Sequence, residues 1–362
     1  MIMTGLRGVG KTVLLNRFAE LAELAGWESI ELEASKHDET AFRQSIFSKF
    51  RAALLHISPR RRWSERARHA AEVLSSFVLS IDQSGTFSVT WDVDPSEGYG
   101  DHGDLGLDLT DVFLAVGDVA KEKETGIVLL IDEVQFLTTV QLESLIQAVH
   151  KSVQKKLPIT FVGAGLPQIA ELAGDAKSYA ERLFKFPRID SLTPEEARQA
   201  LVGPAETENV SYDEDAVDLA VSLTHGYPYF IQELGYQAWI VASGNHITAE
   251  DISTAKEAYE AKLDGSFFRV RLDRATPLQT AYMRAMAELG SEPQKAADVA
   301  SLMKRESSQV APIRSQLIDM GLLYTPQHGY AAFTVPDFDK FMMRAVPRLE
   351  VPEIQHRRRR GK

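Results

Sequence analysis

Gly5-Leu6-Arg7-Gly8-Val9-Gly10-Lys11-Thr12 is the stretch whose reading decides the fold. Its spacing is G-x-x-x-x-G-K-[ST]. Glycines at these positions let backbone N–H groups wrap an anion, and a helix that follows adds the positive end of its dipole. Such a helix is expected here, because Val13, Leu14, Leu15, Phe18, Leu21 and Leu24 form an apolar stripe at helical spacing. Gly26 is a natural stop for it. Lys11 is expected to reach the β- and γ-phosphates of a nucleotide, and the Thr12 hydroxyl to ligate Mg²⁺.

Much further along, Ile127-Val-Leu-Leu-Ile131 is a continuous apolar run that ends in Asp132-Glu133. Such a run fits a strand buried on both faces of a parallel sheet. Two adjacent carboxylates at the mouth of a buried strand are costly unless they hold a cation or act chemically. Asp132 is therefore expected in the Mg²⁺ shell. Glu133 is expected to polarise an attacking water, a role worth roughly 10²–10⁴ in rate. The two motifs together point to ATP hydrolysis to ADP and phosphate.

Between them, Ser29 to Ala34 alternate as a strand, while 38–57, 59–78 and 107–120 read as helices. Phe77 to Ile81 and Thr86 to Val93 flank Asp82-Gln-Ser-Gly85 and predict a β-hairpin. Residues 58–106 thus read as an insertion between core strands. Ile159 to Ala164 is a second buried-strand run. Helices alternating with buried strands predict an α/β fold, a parallel sheet with helices on both faces. From Thr193 onward the strands are expected to stop, and amphipathic helices follow.

The division expected is an ATPase core over 1–190, an α-helical lid over 191–275, a winged helix over 276–345, and a basic, disordered tail over 346–362. In the third segment, Ala296 to Met303 and Ser308 to Met320 would be the two helices and His328-Gly329 the wing tip. Ser307, Ser308, Gln309, Arg314 and Gln316 would then be available to face a groove. The residues leave two uses open, DNA binding and protein contacts.

The 362 residues carry a net charge of −11, which argues against a chain coated in basic, DNA-binding surface. Arginines nevertheless cluster at Arg60, Arg61, Arg62, Arg66 and Arg68, at Arg269, Arg271 and Arg274, and at Arg357 to Arg360. There is no cysteine, so disulfides, thiol catalysis and Cys-based zinc sites are excluded. No apolar run approaches the ~20 residues of a membrane span. No signal-peptide zones precede the glycine-rich loop. A cytoplasmic protein without a membrane partner is expected.

With these motifs placed, the chain resembles the AAA+/STAND side of the P-loop NTPases, in particular archaeal-type and origin-recognition-like ATPases. It also resembles bacterial ATP-binding proteins that end in a winged helix. The resemblance rests on Gly5 to Thr12, Leu130-Ile-Asp-Glu-Val-Gln-Phe136, Val162-Gly-Ala-Gly-Leu-Pro167, Tyr179-Ala-Glu-Arg-Leu-Phe184 and His225-Gly-Tyr-Pro-Tyr-Phe230. It implies ATP and Mg²⁺ as ligands, with Gly5 to Thr12, Val13 and Pro228 around the nucleotide. It also implies that Arg182 contacts the γ-phosphate, from its own subunit or from a neighbour in a homo-oligomer, with Arg188 as the alternative. Two departures stand out. The strand after the acidic one ends in Gly163-Ala-Gly165, so the usual polar sensor is missing or replaced by Gln168. Gly226-Tyr-Pro228 stands where AAA+ lids carry a sensor arginine, as in STAND switches. Both predict slow hydrolysis. Relatives also carry a longer first strand than Met1-Ile-Met-Thr4, which suggests a truncated start. Three roles follow: an ATPase that controls conformation or assembly and binds DNA, a STAND-like regulatory switch, and a slow nucleotide-binding scaffold.

Overall fold

The structure is a computed structural model that describes residues 1–34, 39–79, 93–177 and 180–352. The chain divides into two units, one of residues 1–5 and 10–189, the other of residues 6–9 and 190–362.

The first unit contains, in chain order, β1 (Ile2–Thr4), α1 (Lys11–Leu24), β2 (Glu28–Glu33), α2 (Glu39–Ile57), α3 (Glu65–Leu79), α4 (Leu105–Glu122), β3 (Ile127–Asp132), α5 (Thr139–Gln154), β4 (Ile159–Gly165), α6 (Ile169–Ala176) and α7 (Ala180–Leu183). The four strands form one parallel sheet in the order β1-β4-β3-β2. A bridge from Thr4 to Arg188 continues the pairing past β1. The apolar runs explain why the sheet is covered on both sides. Ile127, Leu129 and Ile131 of β3 join Ile30 and Phe161 in the larger core, with α2 to α5. Val128 and Leu130 point the other way and pack with Leu15 and Ala19 of α1. Successive strand residues face opposite sides, so only an unbroken apolar run can serve a sheet sandwiched between helices.

The segment between β2 and β3 is helical where it is described. Arg43 of α2 is 1% exposed and Asp108 of α4 is 0% exposed, with Nη2 2.9 Å from Oδ2. The same guanidinium donates to the Phe77 carbonyl and lies 4.8 Å from the Phe77 ring, which ties α3 to the pair. Loss of Arg43 would be costly, because the buried Asp108 carboxylate would lose its cation, whereas Arg43 is also held by Glu39. Phe77 to Leu79 are the last turn of α3, so the first strand expected for the hairpin is corrected at these residues. Burial of Val73, Leu74, Phe77 and Val78 follows helical spacing, and packing against α2 and α4 overrides the local alternation. The rest of the expected hairpin, 80–92, lies outside the described residues.

The second unit is mainly helical: α8 (Pro194–Thr207), α9 (Glu214–Thr224), α10 (Pro228–Val241), α11 (Ala249–Lys262), α12 (Arg269–Leu272), α13 (Pro277–Leu289), α14 (Ala296–Leu302), α15 (Ser307–Asp319) and α16 (Phe338–Ala345). Thr193 caps α8 through a capping box with Glu196, and Thr276 caps α13 with Gln279, each followed by proline at the first helical position. That position tolerates proline because its N–H has no helical partner. Strands do not stop at Thr193, contrary to the sequence expectation. β5 (Ser211–Tyr212) pairs with β6 (His246–Ile247), and β7 (Gln294–Lys295), β8 (Leu323–Tyr324) and β9 (Tyr330–Phe333) form an antiparallel sheet of order β7-β9-β8. Most of these are two residues long, too short for alternation to register. The disordered tail expected from 346 is corrected at its start. Val346 and Pro347 accept hydrogen bonds from the buried Arg284, and Pro352 accepts one from Arg305. Residues 353–362 lie outside the described residues. No helix among the described residues is long and apolar enough to cross a membrane.

Candidate nucleotide site

β1 delivers the chain to the glycine-rich loop at the edge of the sheet. The Gly5 N–H donates to the Gly165 carbonyl at 3.1 Å, which fixes the loop's root to the end of β4. Gly8 and Gly10 have φ of 89° and 92°, a region that side chains disfavour and glycine does not. α1 then starts at Lys11, and no side chain caps it at Gly10. Its first amides are the orphan donors of a helix N-terminus, with the positive end of the dipole behind them. Lys11 is 8% exposed and its Nζ donates to the Gly5 carbonyl at 3.0 Å. A buried ammonium beside uncapped amides is an arrangement that attracts a phosphate.

Thr12 Oγ1 donates to Asp132 Oδ2 at 2.6 Å, so the loop meets the acidic strand end. The other Asp132 oxygen accepts from the Glu133 N–H at 2.8 Å. A hydroxyl and a carboxylate at this separation are ligand types that Mg²⁺ takes, and the donor set fits that cation. A cavity of about 210 Å³ opens here, lined by Thr12, Asn16, Glu31, Glu33 and Asp132. Glu133 has φ 53° and ψ 38°, left-handed for a residue with a side chain. Gln135, which follows in a 3₁₀ turn, donates from Nε2 to Glu133 Oε2 and accepts at Oε1 from the Leu166 N–H at 2.9 Å.

The structure thus brings together Gly5, Gly10, Lys11, Thr12, Asp132 and Glu133. It does not bring Arg182 to them. Arg182 is exposed on α7, and among the described residues no hydrogen bond or ion pair joins it to the site. Arg188 is exposed beside the Thr4 bridge. Leu6 to Val9 group with the second unit. Within that unit the Tyr227 hydroxyl donates to the Arg7 carbonyl, and the Tyr229 N–H donates to the Gly8 carbonyl at 3.2 Å. Pro228 stands between these two tyrosines and opens α10. Burial pushes the Tyr227 phenol far above its ordinary pKa, so it stays a donor. Val13 is exposed on α1. Sequence reasoning quoted Gln135 within a motif but gave it no role, and assigned the strand-end polar group to Gln168 instead. No bond joins Gln168 to Glu133 among the described residues. The signal available was a glutamine two residues after the acidic pair, too short a pattern to show which way its side chain turns.

A parallel sheet with a glycine-rich loop after β1 and an acidic pair after β3 defines a P-loop ATPase fold. Residues 1–162 match the AAA ATPase domain family, and residues 265–342 match a domain of unknown function, DUF8462. No curated protein matches the chain. Among solved structures, the Walker-type ATPase of Pyrococcus abyssi is similar at 16% identity and a TM-score of 0.57, over 94% of this chain and 90% of that one. The Cdc6p protein of Pyrobaculum aerophilum is similar at 14% identity and a TM-score of 0.44, covering 96% and 88%. The Orc1 protein of Aeropyrum pernix, solved in complex with DNA, is similar at 15% identity and a TM-score of 0.42, covering 95% and 86%. The first of these supports the fold, and the other two carry no argument beyond the similarity itself.

Proposed function

We propose that this chain binds ATP with Mg²⁺, hydrolyses it slowly, and uses the nucleotide state to control its conformation or assembly. The observation that carries the reading is the 2.6 Å contact from Thr12 to Asp132, which joins the phosphate loop to the acidic strand end. Lys11 and the amides of the loop hold the β- and γ-phosphates. Thr12 and Asp132 hold Mg²⁺, which when bound neutralises phosphate charge. Glu133 takes the proton of the attacking water. Glu133→Gln keeps the shape and removes the base. ATP should still bind, while single-turnover hydrolysis falls roughly 10²-fold or more. Hydrolysis at the wild-type rate would remove Glu133 from this role.

We read the α14–α15 pair and the β8–β9 hairpin that follows as a winged helix that contacts DNA. Ser307, Ser308 and Gln309 are exposed at the start of α15, as a reading helix requires. A second reading, protein contact as in a regulatory switch, is favoured by two other observations. Gln316 is engaged by Gln279 at 3.0 Å, and Glu306 at the N-cap of α15 places there a carboxylate, which repels phosphate.

A further inference from the structure

The strand end Gly163-Ala-Gly165 carries no polar side chain, yet a polar group stands there. It comes from the 3₁₀ turn after the neighbouring strand β3, from Gln135. Its amide is held at both ends, by the Leu166 N–H at 2.9 Å and by Glu133 Oε2. The orientation follows from chemistry. A backbone N–H can only donate, so the atom facing Leu166 is oxygen, and the NH₂ is turned toward a carboxylate that accepts. The fold makes room for the oxygen at Gly165, where an added Cβ would come within 2.7 Å of it. Val134, fully buried, roots the 3₁₀ turn in the core. A flexible side chain with one end fixed to a strand presents its other end at a fixed place.

We propose that Gln135 is a positioning residue that sets the Glu133 carboxylate for water activation by referring it to the end of β4. The inference rests on Glu133 being the water-activating group. Gln135 touches neither nucleotide nor water in this role; it acts through Glu133.

Two variants test it. Gln135→Leu removes both bonds, while Gln135→Glu keeps the acceptor for the Leu166 N–H and puts a second carboxylate against Glu133. The measurements are single-turnover hydrolysis and equilibrium binding of a fluorescent ATP analogue. Gln135→Leu should hydrolyse roughly 10- to 100-fold more slowly, the cost of a misplaced group, with affinity within about twofold. Gln135→Glu should be as slow at alkaline pH, because two adjacent carboxylates repel. Its rate relative to wild type should rise as pH falls, since a proton shared between the two carboxyls restores a donor. A merely structural glutamine would not produce that pH dependence. Rates equal to or above wild type, affinity lost in step with rate, or a ratio of Gln135→Glu to wild type that ignores pH would each overturn the proposal. Should Gln135→Leu fail to fold, Gln135→Glu decides alone. Normal hydrolysis in Glu133→Gln removes the premise and the inference together. Slow hydrolysis there with normal Gln135 variants removes the inference alone.

Discussion

On the proposed reading, Lys11 is the side chain that meets the phosphates. Its ammonium is buried against the Gly5 carbonyl, and a phosphate arriving at the loop meets a cation already drawn out of water. Charge-assisted bonds to a buried cation are the stronger kind. Lys11→Ala should therefore weaken ATP binding at least tenfold, about 1.4 kcal/mol or more. Equilibrium titration with a fluorescent ATP analogue measures this, and unchanged affinity would contradict the phosphate-loop assignment. The motifs that contain Lys11, Thr12, Asp132 and Glu133 could be located in the sequence, since each is a fixed spacing within one loop or one strand end, and the structure places these residues near one another. Gln135 was not, because its partners Glu133 and Leu166 meet only when β3 and β4 pair.

At the scale of elements, legibility followed length. β3 and β4 announced themselves as apolar runs, and α1, α2 and α4 by their periodicity. The two-residue strands of the second unit left no pattern, and the last turn of α3 looked like a strand because Phe77 and Val78 are apolar neighbours. The element that separates the two uses of the C-terminal module is α15. Its exposed start offers Ser307, Ser308 and Gln309 to a groove, while Glu306 at its head repels phosphate. If α15 enters DNA, duplex binding should be measurable by fluorescence anisotropy and should weaken steeply as salt rises from 50 to 200 mM. Absence of binding at 50 mM would select the protein-contact use. Glu306→Gln should strengthen a genuine DNA complex, because it removes one like charge from the interface.

For the molecule as a whole, the open matter is whether one chain completes its own site. Arg182 is exposed and makes no ion pair among the described residues, which suits an arginine offered to a neighbouring copy. An arginine supplied to a γ-phosphate can be worth ~10³–10⁵ in rate. If it acts on a neighbour, activity per chain should rise with protein concentration. A mixture of Arg182→Ala and Lys11→Ala should then regain hydrolysis, because one mutant keeps the loop and the other keeps the arginine. Activity independent of concentration, with no recovery on mixing, would place the arginine's action within its own chain or remove it from the reaction.

The sequence by itself determined the class of fold and the places of the glycine-rich loop and the acidic pair. Those features depend on local spacing and on apolar runs, which a linear chain displays directly. Tertiary structure alone decided that Thr12 meets Asp132, that Arg43 and Asp108 pair in the core, and that Gln135 joins Glu133 to the end of β4. Each of these joins residues on different elements, and the direction of a side chain across such a gap is set by packing.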